Sequence, residues 1–365
     1  MGVVQARAGT AIASSPAAVG AVQEPIRSRG LVRGRSRRAV GLLFAVVLLA
    51  IVCMASLAIG SRSIPVSAAA DALTSYDATD PDQLIVREVR GPRTLVGLMA
   101  GLALALAGAL IQGITRNPLG DPGILGLSAG AALAAAVAVL VLGVGSVFGS
   151  IWFAFAGAAV GAVVVYGVAS LGREGPTPVK LALAGAAVTA LLTSLTTTIV
   201  LVDLETLNAL RFWVVGSLAR TGSTVVSQVW PFVAVGALIA LSSGRVLNAL
   251  SLGDDVARSL GQRVGRARAT TTLAVVILVG AATAAAGPII FVGLVIPHVA
   301  RAITGPDYRW ILPYSAVLGP ILLLSSDILG RIVVRPEELQ VAIVMSLVGA
   351  PFFIALVRRR KLVEL

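Results

Sequence analysis

Few residues of this 365-residue chain are equipped for chemistry, and most of those few stand in apolar surroundings. Asp327 is the only acid inside a long apolar run. Arg331 follows four residues later, the spacing at which two helical side chains meet, so the two read as a structural ion pair that snorkels toward the end of its segment. His298, the only histidine, lacks companions for a metal site and reads as a structural hydrogen-bonding group. A phosphate-binding P-loop requires lysine followed by Ser or Thr after a glycine-rich turn. The two lysines, Lys180 and Lys361, each precede leucine, so the chain hydrolyses no ATP by itself. No nucleophile–base or acid–base constellation emerges, and no catalytic or metal-binding residue is assigned. Cys53 is the single cysteine and has no disulfide partner in the chain.

Hydroxyls and arginines say more. The stretch 181–202 carries Thr189, Thr193, Ser194, Thr196, Thr197 and Thr198. Positions 189, 193 and 197 share one helical face, which suits a wet pathway for a polar solute; the rival reading is back-bonding of each hydroxyl to the carbonyl one turn earlier. Arg87, Arg90 and Arg93 precede one apolar stretch, and Arg331 and Arg335 close another. Guanidinium groups so placed suit the carboxylates of an acidic partner, with interfacial anchoring as the alternative. In the connection 244–268, Leu252, Val256 and Leu260 recur every four residues, which gives a short helix one apolar face and leaves Asp254, Asp255 and Arg258 on others. Ser251 stands three residues before Asp254 in a capping arrangement, and Gly261 suits the left-handed residue that ends a helix. A helix of about nine residues is marginal in water, so this face packs on a cytoplasmic partner or on the protein's own membrane domain.

The elements that position these groups are apolar helices. The chain is 57% hydrophobic and 13% charged, about half the charge of a soluble domain, so lipid solvates most of its surface. A net charge of +12 in a soluble protein points to nucleic acid; here the arginines crowd the tails and alternate connections, the positive-inside pattern, and no nucleic-acid role is inferred. Apolar stretches lie at 39–61 and 94–115, with two more in 122–172 separated by Gly143, Gly145, Ser146 and Gly149. Others follow at 181–202 and 224–242, two in 269–297 cut at Gly287-Pro288, and the last at 310–331 and 339–357. A shorter, polar-interrupted segment occupies 206–219. The ten spans are even in number, which puts both termini on one side, and the arginines make that side cytoplasmic. Residues 1–38 read as a disordered Arg-rich cytoplasmic tail and 358–365 as a second tail. The apolar run after residue 38 is too long for a cleaved signal peptide. Gly97 and Gly101, Gly126 and Gly130, and Gly157 and Gly161 each form G-x-x-x-G, which predicts a tightly packed bundle. The fold class is all-α: a polytopic membrane protein with ten transmembrane helices over 39–357.

Five motifs carry a family resemblance. Arg90-Gly-Pro-Arg93-Thr-Leu, Gly108-Ala-Leu-Ile-Gln112 and Arg116-Asn-Pro-Leu-Gly-Asp-Pro-Gly-Ile-Leu-Gly126 resemble the opening signature of the iron-siderophore and vitamin B12 (FecCD-type) ABC importer permeases. Gly287-Pro-Ile-Ile-Phe-Val-Gly-Leu-Val-Ile-Pro-His298 with Arg301, and Gly349-Ala-Pro-Phe-Phe353, are similar to later signatures of the same family, in the same order. The resemblance implies a type II ABC importer permease in the bacterial cytoplasmic (inner) membrane. It implies as partners a second permease subunit, a related chain in preference to a copy, two ATPase subunits that carry ATP and Mg, and an extracytoplasmic solute-binding protein. No cofactor is held by this chain. The family's coupling helix falls on 250–261, which makes Leu252, Gly253, Asp255, Val256, Arg258 and Gly261 the implied ATPase contact. Its outward arginines fall on Arg90, Arg93 and Arg331, and its pathway-lining helix supports Thr193 and Thr197, with Thr189 on the same face. Thr115-Arg-Asn-Pro-Leu-Gly-Asp-Pro-Gly and Thr304-Gly-Pro-Asp307 look like ferric-enterobactin-type subunits, so the implied solute is a ferric siderophore, with haem or cobalamin as the alternative. An ion-coupled carrier is disfavoured by the absent ion relay. The sequence departs from the family at Glu338-Leu-Gln340-Val-Ala342, where many relatives have proline and glycine at the last two positions.

Overall fold

The computed structural model describes residues 31–32, 34–143, 151–171, 178–219 and 221–358, and every regular element among them is a helix. Helix α1 (Arg35–Ala58) leads through α2 (Val66–Thr74) and α3 (Pro81–Ile85) to a π-turn, Val86–Arg90, that runs directly into α4 (Gly91–Thr115). Then follow α5 (Leu127–Leu142), α6 (Ile151–Ala169), α7 (Pro178–Val202), α8 (Leu204–Val215) and α9 (Ser223–Ser242). The two short helices α10 (Gly244–Ser251) and α11 (Asp254–Ser259) precede α12 (Val264–Ala286), α13 (Val292–Thr304), α14 (Tyr308–Val333) and α15 (Val341–Arg358).

Each expected apolar stretch contains a helix. Seven, namely α1, α4, α6, α7, α9, α12 and α14, are long and apolar enough to cross a bilayer, while α5, α13 and α15 are apolar but shorter. Helix α1 starts inside the stretch expected to be a disordered tail, and ahead of it the Leu31 and Val32 amides donate to the Ala302 and Ile303 carbonyls at 3.1 and 3.0 Å. The rest of that tail, residues 1–30 and 33, lies outside the described residues, as do 359–365 and Gly145, Ser146 and Gly149.

Helix α4 is the axis of the bundle, with α14, α12, α13 and α9 packed around it. Glycine makes this possible, because without a hydrophobic drive in lipid the helices are held by close contact. A Cβ on Gly101 would run into the Gly319–Pro320 backbone of α14, and one on Gly130 into the Gly157 carbonyl of α6. All three G-x-x-x-G pairs therefore sit at helix–helix seams. Gly108 is a further such point: its Cβ would overlap the Gly293 carbonyl, which explains the first glycine of the Gly108–Gln112 motif.

Gly287-Pro288 does cut its apolar run. Gly287 (φ 73°) and Phe291 (φ 70°) turn the chain between α12 and α13. A helix broken inside the membrane leaves carbonyls that need donors. The C-terminal end of α8 supplies them: the Ser217 amide donates to the Ala286 carbonyl at 2.8 Å and the Trp213 indole N–H to Ala284 at 3.3 Å. The polar-interrupted segment is thus a half-helix that plugs the break.

Candidate translocation, docking and coupling sites

One end of the bundle holds an ion cluster that sequence spacing disclosed only in part. Asp327 is 0% exposed, so it does not snorkel as expected; it pairs both with Arg331, one helical turn along α14, and with Arg93 on α4. Arg93 engages it in fork fashion, Nε to Oδ2 at 3.0 Å and Nη2 to Oδ1 at 2.8 Å, and donates its remaining Nη1 to Glu338 Oε2 at 2.7 Å. Arg331, 1% exposed, also donates to the Ser56 and Ile59 carbonyls at 2.7 and 3.0 Å and to Ser56 Oγ at 3.0 Å. Arg90 is buried too, donating to the Leu57 and Ala58 carbonyls at 2.7 Å each and to the Arg62 carbonyl.

These bonds have one physical purpose. The last carbonyls of α1 have no partner within the helix and carry the negative end of its dipole. Arg90 and Arg331 satisfy the carbonyls of residues 56–59 with two cations, and Asp327 and Glu338 neutralise much of the charge so buried. The clamp ties a largely lipid-facing α1 to α4 and α14. A correction follows for Arg90, Arg93 and Arg331: expected to face outward for a partner's carboxylates, they are spent on internal ones and on backbone carbonyls. The exposed arginines at this end are Arg62, paired with Asp82 at 2.9 Å, Arg87, stacked over Tyr76 at 4.2 Å, and Arg335. Glu338 carried no spacing signal, because it lies 245 residues from Arg93.

The opposite end carries the 244–268 connection. The helix expected there is shorter, six residues from Asp254 to Ser259, and its N-cap is Gly253 (φ 107°) with no side-chain cap. Ser251 does not cap it, since its hydroxyl donates back to the Asn248 carbonyl at 2.8 Å and so closes α10. Gly261 does end α11 in the left-handed region (φ 79°), and the Gln262 amide reaches back to the Ala257 carbonyl at 2.9 Å. Leu252 is 62% exposed, with Val256 and Leu260 exposed beside it, whereas Ala257 on the other face is buried. Asp255 and Arg258 pair on the outside at 2.7 Å.

Braces run from this connection into the bundle. Asp254 accepts from Arg116, at the left-handed C-cap of α4, and from Arg268 in the first turns of α12. Asn248 on α10 donates to Asp307 at 2.7 Å and accepts from the Tyr308 amide at 2.8 Å, at the start of α14. Burial pushes the Asp307 carboxyl up, but hydrogen bonds from Arg309 and Asn248 outweigh it and hold the group down at about 2. Polar contacts thus join this connection to α4, α12 and α14.

Helix α7 exposes most of its surface. Ser194, Thr196 and Thr198 bond back to the carbonyl one turn earlier, as the rival reading had it. Thr189, Thr193 and Thr197 make no such bond among the described residues; Thr193 and Thr197 are exposed and the Thr189 hydroxyl is buried without a partner. His298 packs edge-on against Phe352 with centroids 6.0 Å apart, and its Nδ1 has no hydrogen-bond partner. The structural bond expected of it is absent among the described residues, where no group of three metal-ligating side chains occurs either.

A helical membrane protein with a glycine-packed axis, a clamped end and an exposed apolar connection braced into three long helices has the build of a transporter's membrane subunit. Comparison with known proteins names its kind: residues 48–359 match the FecCD transport family, and the chain belongs to it. It is 44% identical over 324 residues to the ferric enterobactin transport system permease protein FepD of Escherichia coli (strain K12), covering 88% of this chain and 96% of that protein. It is 42% identical over 288 residues to the probable siderophore transport system permease protein YfiZ of Bacillus subtilis (strain 168), covering 79% of this chain and 86% of that one. A solved metal-chelate type ABC transporter in an inward-facing conformation superposes with a TM-score of 0.76 at 29% identity, over 88% of this chain and 99% of the other. The chain is accordingly a transport permease and not an enzyme.

Proposed function

We propose that this chain is one permease subunit of an ATP-driven importer for a ferric siderophore. It crosses the bacterial cytoplasmic membrane ten times with both termini inside. The observation that carries the reading is the exposed apolar face of Leu252, Val256 and Leu260, braced to α4, α12 and α14, in a chain that shares a family and 44% identity with a ferric enterobactin permease. Leu252, Gly253, Asp255, Val256, Arg258 and Gly261 form the contact for a partner ATPase, which holds ATP and Mg. A related second permease subunit faces the Thr189, Thr193 and Thr197 side of α7, and the solute passes between the two subunits.

A solute-binding protein docks on the far end. Arg90, Arg93 and Arg331 build that platform from inside, and the exposed Arg87 and Arg335 meet its carboxylates. Nucleotide binds the two states of the ATPase pair unequally, and that difference drives the permease between inward- and outward-open forms. A haem or cobalamin solute is the second reading; for cobalamin it is supported by the 36% identity to the cobalamin import system permease protein BtuC of Halobacterium salinarum.

The test is co-purification and coupled hydrolysis. Leu252→Asp with Val256→Asp, both at exposed positions, leaves the bundle folded while abolishing solute-stimulated ATPase activity of the assembly. Normal stimulation in that double variant overturns the coupling assignment, and solute accumulation by the permease in vesicles without any ATPase overturns the importer.

A further inference from the structure

The two short helices of the inner connection are held in opposite ways. Helix α10 is wedged into the bundle: Leu247 and Leu250 are buried, a Cβ on Gly244 would press on the Arg309 backbone at 3.2 Å, and Asn248 is bonded to both Asp307 and the Tyr308 amide. Helix α11 rests lightly. Among the described residues, Ala257 is its one buried member. Glycines bound it on both sides, Gly253 (φ 107°, ψ 154°) and Gly261 (φ 79°), in backbone conformations that side chains rarely adopt. A Cβ on either would meet open space, since only Arg116 Nη1 lies near Gly253, at 3.9 Å, and nothing lies within 4 Å of Gly261. The backbone requires these two glycines, whereas close packing requires those of the α4 seams.

A six-residue rod between two glycine pivots turns without dragging its neighbours unless a side chain ties it to them. Asp254 is that tie. Its carboxylate accepts from Arg116 Nη2 on Oδ1 and from Arg268 Nη2 on Oδ2 at 3.0 Å, so one residue of α11 grips the end of α4 and the second turn of α12. The side chains of Asp254, Arg116 and Arg268 are 24%, 37% and 42% exposed, and ion pairs so exposed add little stability. What they supply is direction. We propose that α11 is the moving lever of the connection, pivoting on Gly253 and Gly261 against a fixed α10, and that Asp254 is the positioning residue that hands its motion to α4 and α12. This rests on the ATPase contact proposed above and divides the labour within it: Val256 and Leu260 ride on the lever and receive the push, while Asp254 passes it on. Helix α14 takes no part in that step, because its link to the connection runs through Asn248 on the fixed arm.

The experiment uses the assembled importer in vesicles, with ATP hydrolysis and solute uptake measured on one preparation, so that the readout is solute moved per ATP hydrolysed. Asp254→Asn keeps the size and loses both ion pairs: the ATPase still co-purifies and basal hydrolysis is unchanged, while solute per ATP falls about tenfold, within the usual range for coupling between sites. Asp254→Glu, which keeps the charge, restores the ratio. A merely structural role lowers yield or melting temperature and leaves that ratio alone. The lever is also read directly with spin labels at exposed positions in a Cys53→Ser background. The distance between Arg245→Cys on α10 and Ser259→Cys on α11 changes when ATP binds, and that between Arg245→Cys and Pro306→Cys, just before α14, stays fixed. An unchanged ratio in Asp254→Asn, or an Arg245–Ser259 label distance indifferent to ATP, overturns the proposal. Loss of ATPase co-purification in Asp254→Asn overturns it too, since Asp254 then belongs to the contact. The contact fails separately, through normal stimulation in the Leu252→Asp, Val256→Asp variant, and in that event the ratio and the label distances still decide the lever.

Discussion

Asparagine at position 327 is the sharpest test of the ion clamp. Among the described residues Asp327 is the one carboxylate in contact with both Arg93 and Arg331, and neither its own side chain nor that of Arg331 has meaningful exposure. Asp327→Asn keeps the shape but leaves two buried guanidinium groups short of one negative charge. Removing one member of a buried ion pair costs about 3–5 kcal/mol. The amide oxygen still accepts a hydrogen bond and Glu338 still pairs with Arg93, which places the loss near the lower end, ~3 kcal/mol. At roughly 2 °C per kcal/mol for a chain of this length, the apparent midpoint in detergent falls by about 6 °C at a fixed scan rate. A double-mutant cycle with Arg93→Met locates the effect: the double variant loses less than the sum of the singles by about 1–3 kcal/mol. A midpoint unchanged within about 1 °C, or strict additivity in the cycle, refutes the view that the charges are buried and mutually dependent.

Three further outcomes follow from the same contacts. Gly108→Ala forces a methyl group into the Gly293 carbonyl between α4 and α13; overpacking of this kind costs about 1–3 kcal/mol or more, read as lost expression and an earlier aggregation temperature. Asp307→Asn removes a carboxylate held at about 2 against an ordinary value of 3.8, a difference worth about 1 kcal/mol at neutral pH once solvent screening of the exposed Arg309 partner is allowed for. Because the folded value is the lower one, the wild type has this stability above pH 4 and loses it as pH falls toward 2; pH-dependent melting of the two proteins converges in acid and separates at neutrality. Thr193→Val with Thr197→Val, at exposed and unbonded positions, leaves the melting temperature within about 1 °C but slows solute uptake by the assembled importer, measured in vesicles with excess ATP.

Sequence and structure divide the clamp between them. The Asp327–Arg331 pair was legible because both partners lie on one helix, four residues apart, where backbone geometry alone sets the distance. Arg93 and Glu338 were not, because their meeting depends on α4 lying against α14, a packing choice made by Gly101, Gly319 and Pro320 over more than 200 residues of separation. The same contrast marks the inner connection. Its apolar face and its closing glycine follow from a period and from a single φ, while the length of α11 depended on Ser251 bonding back to Asn248 instead of forward.

What the chain alone determined is therefore everything that depends on local periodicity or on transfer into lipid: the apolar helices, the break at Gly287-Pro288, the seams marked by paired glycines, and the family. Tertiary structure alone decided where charge is spent. Arginines near a helix mouth have the same sequence pattern whether they face a partner or turn inward, and here the unpaired carbonyls at the end of α1, which no local pattern reveals, drew Arg90 and Arg331 inside.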